Sequence, residues 1–149
     1  MTNAIDDAVE RLQELSAAMT SLPDGTRVNA RSTYPVETSQ PYPFSVAYVS
    51  GGTWRLTNKT MLHNFPVISV EFHFTRANLS LAYKQINAVV FEFPQRIAGD
   101  STLAANVQTV KAGQDEDSPF VARPFDYGGI KSQMLRFDIT LKLLQSPLS

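Results

Sequence analysis

At 149 residues, 43% hydrophobic and 18% charged, the chain has the size and balance of one globular domain, which excludes a wholly disordered polymer. A net charge of -1 lacks the basic excess of a nucleic-acid binder, and the absence of cysteine excludes disulfides, thiolate metal sites and cysteine nucleophiles. No run reaches the roughly 18–20 apolar residues of a membrane helix, and Asp6 and Asp7 stand where a signal peptide carries basic residues, so the expectation is a chain kept in the cytosol or packed into something built there.

The first 22 residues read as an amphipathic helix. Ile5, Ala8, Val9, Leu12, Leu15, Met19 and Leu22 recur at three- and four-residue spacing along one stripe. Acids crowd its first half, where they suit the positive end of the helix dipole, and Pro23-Asp24-Gly25 ends it with turn chemistry. Residues 26–43, with Pro35, Pro41 and Pro43, read as an extended linker with at most a short edge strand near Thr33 to Glu37.

Phe44 to Val49 reads as a strand with Phe44, Val46 and Tyr48 on one face, broken by Gly51-Gly52 acting as a turn. Thr53 to Leu56 is a short strand or part of a long loop or hairpin arm running on to Asn64. Val67 to Phe74 is clearer: Ile68, Val70, Phe72 and Phe74 share one face and Ser69, Glu71 and His73 the other, which places His73 toward solvent or a helix edge.

Asn78 is a candidate N-cap for a second helix with the stripe Ala82, Ile86, Val89, Val90 and Phe93. Pro94 limits its straight run, Gln95 to Ala105 continue as a shorter helical or turn segment, and Gly99-Asp100-Ser101 supply a break. Asn106 to Ala112 reads as a strand, Gly113 to Pro119 as a solvated turn, and Val121 to Phe125 as a short strand or extended segment. Gly128-Gly129 turn the chain into Met134 to Leu144, where Leu135, Phe137, Ile139, Leu141 and Leu143 alternate with Arg136, Asp138, Thr140 and Lys142. That alternation predicts a half-buried antiparallel strand. The order helix, strands, helix, strands predicts one α+β domain over 1–149, a mostly antiparallel sheet with two helices packed on one face and its core in residues 44–144.

No phosphate-binding glycine loop, nucleophile elbow or calcium-loop spacing occurs. His63, His73 and Glu71 lack a well-spaced companion for a metal. The expectation is therefore no catalytic residue, no metal and no cofactor. Trp54 is either an interface anchor, a role Trp and Arg favour, or a cap on the core edge. Charge is split: residues 1–24 sum to -4 and the remainder to +3, and between residues 25 and 60 Arg27, Arg31, Arg55 and Lys59 face only Glu37. Trp54, Arg55 and Lys59 on an arm, meeting Asp6, Glu10 and Glu14 of a neighbour, would give head-to-tail contacts that close into a ring.

The order of segments resembles the tail terminator family of long-tailed bacteriophages. The acidic helix leads, after a linker, to Tyr42-Pro43-Phe44-Ser45-Val46-Ala47-Tyr48-Val49-Ser50-Gly51, similar to that family's aromatic-Pro first core strand. A polar loop, the strand Val67 to Phe74 and the helix from Leu79 follow, running into Ile97-Ala98-Gly99-Asp100-Ser101-Thr102-Leu103-Ala104-Ala105-Asn106-Val107. Phe125-Asp126-Tyr127-Gly128-Gly129 and the strand to Leu144 are similar to its closing hairpin. The Pro-rich stretch 31–43 departs from the pattern. The resemblance implies a structural virion protein: a homohexameric ring that caps the tail tube, stops its polymerisation and joins it to head-completion proteins. Its partners would be its own copies, the tube protein and a head-completion or connector protein, with DNA passing unread through the lumen. It implies assembly in the host cytoplasm and residence in the virion neck; another neck or tail-completion protein is the alternative.

Overall fold

In the computed structural model, residues 3–32, 41–57, 60–114, 116–127 and 129–146 are described, with backbone alone at 31–32 and 113–114. Helix α1 spans Ala4–Ala17, strand β1 Asn29–Ser32, β2 Phe44–Thr57 and β3 Met61–Phe74. Helix α2 spans Leu79–Ala98, and β4 Thr109–Val110, β5 Phe120–Tyr127 and β6 Ile130–Gln145 follow. The strands form one curled, mostly antiparallel sheet in the order β1-β2-β3-β6-β4, with β5 also on β6 and only β1 running parallel to its neighbour. The fold is the α+β arrangement that the alternating and helical periodicities predict.

Both helices pack on one face. Leu12 and Leu15 of α1 and Ile86, Val89 and Phe93 of α2 join Ile68, Val70, Phe72, Leu135, Phe137, Ile139 and Leu141 of the sheet in one core. Its centre is aromatic: Phe93 meets Phe72 and Phe137 edge-on at 5.1 Å each, the geometry ring quadrupoles favour. Truncating Phe93 would cost about 3–5 kcal/mol by cavity formation.

Several boundaries differ from expectation, each for a local reason. Helix α1 stops at Ala17, short of Leu22, because the backbone N–H groups of Thr20 and Ser21 donate to the Glu92 carboxylate of α2 at 2.7–3.1 Å. Met19 and Leu22 stay buried outside the helix. Arg27 donates to the Met19 carbonyl at 2.9 Å and secures the same bend. Helix α2 begins at the Asn78 cap, whose side chain accepts from Leu81 N–H at 3.1 Å, but it runs through Pro94 to Ala98. Pro94 lies on the exposed side while Phe93 and Ile97 hold the helix to the sheet, so one missing hydrogen bond does not end it.

Residues 106–112 give only the two-residue strand β4 and then a 3-10 turn over Lys111–Gln114. The parallel edge strand lies at Asn29–Ser32; the expected Thr33 to Glu37 strand falls outside the described residues. After α2, Leu103, Ala104 and Ala105 all have positive φ (50°, 58° and 65°), a left-handed turn built without glycine. Asp100 supports it: its carboxylate accepts from Ala104 N–H at 2.9 Å and from Arg11 of α1 at 2.7 Å. Those two donors hold the Asp100 carboxyl below its usual range.

The largest difference is at Gly51-Gly52. The pair does not end the strand. A bulge between Val49 and Gly51 shifts the register by one residue, and β2 continues to Thr57 against β3 back to Met61. At Gly52 (φ 150°) an added Cβ would stand 2.6 Å from the Phe65 carbonyl oxygen and 2.8 Å from Pro66 Cα, so only glycine fits.

Candidate functional site

Two places gather groups with functional potential: the outer face of the sheet, and the arm beyond the bulge with the sheet's open edges.

On the face away from the helices, His73 is fully buried. The strand alternation is as expected, but Phe44 stacks on the imidazole at 4.8 Å and Phe125 meets it edge-on at 4.8 Å, so the histidine expected toward solvent or a helix edge lies under an aromatic lid. His73 Nδ1 lies 2.6 Å from Ser132 Oγ and His73 Nε2 lies 2.9 Å from Glu71 Oε1. Tyr48 donates its hydroxyl to the other Glu71 oxygen.

Burial pushes the Glu71 carboxyl up, but the hydrogen bonds from His73 and Tyr48 outweigh it and hold the group below its usual range. Desolvation first, and then the bond to Glu71, raise the Tyr48 phenol. Serine, histidine and carboxylate stand in the order of a hydrolytic triad. Ser132, however, is fully buried. What the network does is satisfy every polar group it buries, which fixes β2, β3 and β6 in register. His63 does not join His73: ten residues along one strand place them roughly 33 Å apart. Among the described residues no three of His, Asp and Glu come together to hold a metal.

The arm is built differently. From Val49 to Thr57 every residue of β2 is exposed, because the strand has run past both helices. Register with Ile68, Asn64 and Leu62 puts Val49, Trp54 and Leu56 on the helix side of the sheet. They are 50%, 70% and 53% exposed, a row of apolar side chains that nothing in the chain covers among the described residues. The opposite side carries Arg55, whose guanidinium lies 5.3 Å above the Phe65 ring, with Lys111 over the same ring at 4.4 Å. Trp54 is thus not a cap on the core edge.

Both sheet margins are open. Among the described residues nothing pairs with the outer edge of β2 beyond Val46, and β5 pairs only with β6. Beside β5 a second apolar surface rises: Tyr83 and Phe91 of α2 and Phe120 of β5, 47%, 71% and 54% exposed, flank a groove floored by Ile86, Ala122 and Leu135. Periodicity gave no sign of it, because Phe91 and Phe120 lie off the stripes that mark a core.

Of the residues singled out by sequence, Trp54 and Arg55 lie on opposite faces of the arm. Asp6 and Glu10 are exposed on α1, and Glu14 is half occupied by Arg11 at 3.0 Å. Arg27 is exposed and donates to the Met19 carbonyl just past the end of α1. Arg31 is described by backbone alone, in β1, and Lys59 lies outside the described residues. No helix among the described residues is long and apolar enough to cross a membrane. No protein-family model and no curated protein matches the chain.

Proposed function

We propose that this chain is a structural protein of a phage tail, a terminator that assembles head-to-tail into a ring, caps the tube and presents a surface to head-completion proteins, with no catalytic step. The observation that carries the reading is a sheet with two margins open among the described residues, each lined by exposed apolar side chains: Val49, Trp54 and Leu56 at one, Tyr83, Phe91 and Phe120 at the other.

An unpaired edge is a row of unmet N–H and C=O groups, which native chains normally cover or blunt. Among the described residues the β2 edge beyond Val46 stays open and carries apolar side chains besides, the combination suited to strand pairing with another chain. Because the two margins differ, their pairing is heterologous, and a heterologous contact that closes gives a ring. The order of segments supplies the phage-tail assignment, and the open-edged sheet supplies the means of assembly.

The test is a strain lacking this protein, with tails imaged by negative stain. Tails of uncontrolled length are expected; tails of normal length, properly joined to heads, would reject the terminator role. Locating the protein in purified virions separates a terminator, at the top of the tube, from another neck component.

A further inference from the structure

A slot of about 530 Å³ opens on the helix side of the sheet between the end of α2, β5 and the loop after β4. Ile97, Phe120, Phe137 and Ile139 line it, and Glu116 and Asp117 stand on its rim. We infer that this slot receives Trp54 of a neighbouring copy, so that the acidic loop and the arm form the specific contact between subunits. The inference rests on the ring reading and names its contact.

Three observations converge on a second copy as the occupant. The slot and Trp54 lie on the same side of the sheet but at opposite margins, and neighbours related by rotation about a ring axis keep that side in common. Trp54 is the only tryptophan of the chain, is 70% exposed, and sits on a strand whose register fixes where it points. Charge is complementary in the sequence: residues 49–64 carry Arg55 and Lys59 and no acid, whereas residues 113–119 carry Asp115, Glu116 and Asp117 and no base.

Within the chain Glu116 meets Lys111 only at 3.8 Å with its side chain half exposed, and Asp117 has no ion-pair partner among the described residues. Arg55 projects from the other side of the ribbon, and the thickness of one strand is well within the Debye length of about 8–10 Å. The acids would therefore guide the arm, and the apolar floor would hold the indole.

Disulfide trapping tests this in the full chain, which has no cysteine of its own. Leu56→Cys, one position along the row from Trp54, is mixed at high concentration with Asp117→Cys and, separately, with Glu10→Cys on α1. Disulfides form only when Cα atoms approach within about 7 Å. The expected result is a trapped dimer with Asp117→Cys and little with Glu10→Cys. Adding Trp54→Ala to the first chain should slow trapping about tenfold or more, as loss of a buried aromatic anchor does. Adding Glu116→Lys to the second should slow it further at low salt than at high salt.

Preferential trapping at Glu10→Cys overturns the slot contact and leaves a ring built on the acidic helix. Absence of trapping at both positions, while the wild-type chain is seen as rings by negative stain, overturns the slot and leaves the ring reading standing. Absence of both trapping and rings, with tube protein present, overturns the two together.

Discussion

Gly52 and Glu92 illustrate how single residues decide structure that no apolar pattern reports. At Gly52 a methyl group would collide with backbone, whereas at Gly51, its neighbour, an added Cβ meets nothing within 4 Å. Gly52→Ala should therefore lower stability by about 2 kcal/mol or more, while Gly51→Ala stays within about 0.5 kcal/mol, both read by urea denaturation. Equal effects would show that the bulge does not press the strands together. Glu92 is the acid that binds α1's exit to α2. Burial pushes its carboxyl up, but donors from Ser21, Arg96 and Thr20 prevail and bring it from 4.5 to about 2. The folded value lies below the unfolded one, so the stabilisation is complete above about pH 4.5 and disappears as pH falls through about 2. A shift of that size corresponds to something on the order of 3 kcal/mol. Glu92→Gln should cost about 1–3 kcal/mol at pH 7 and flatten the acid limb of the stability curve between those two values.

At the scale of elements, what could be read from sequence followed one-sided burial. Strand β6 and the second half of β3 alternate in polarity because one face meets the helices, although Ser69, Glu71 and His73 on the other face of β3 are buried too, and the two helices show stripes for the same reason. The arm escaped because Val49 to Thr57 is exposed on both faces, so no alternation marks it, and a glycine pair inside a strand resembles a turn. The burial of His73 escaped because its lid includes Phe125, which is 52 residues downstream and reaches it only through the β5–β6 hairpin. The slot is assembled from four separate segments and has no local signature at all. The turn after α2 offers a test of element-level strain. Three successive left-handed residues without glycine cost roughly 1–2 kcal/mol each in intrinsic preference. Ala105, exposed and at φ 65°, gains nothing from its methyl group, so Ala105→Gly should raise stability by about 0.5–1 kcal/mol in thermal or urea unfolding.

For the whole molecule the central contrast is between a sheet covered over its main body and, among the described residues, open at its margins. Helices cover one face, and the Phe44, Val46 and Ile130 cluster with Tyr42, Tyr48 and Phe125 covers part of the other, so the exposed side chains of the arm add little to the core. Stability and assembly should then separate. Trp54→Ser with Leu56→Ser changes side chains that are 70% and 53% exposed, and should move the unfolding free energy by no more than about 0.5 kcal/mol. The same pair should abolish self-association, since aromatic anchors carry most of an interface's energy. Hydrogen exchange gives the complementary reading. In the isolated chain the outward amides of β2 from residue 49 to 57, unpaired among the described residues, should exchange as fast as loop amides. On assembly every second amide along that stretch should become protected, because only alternate N–H groups of a strand point toward an added neighbour. Protection of β5 should appear together with it, and protection confined to α1 would mean that the acidic helix, not the sheet margin, makes the contact.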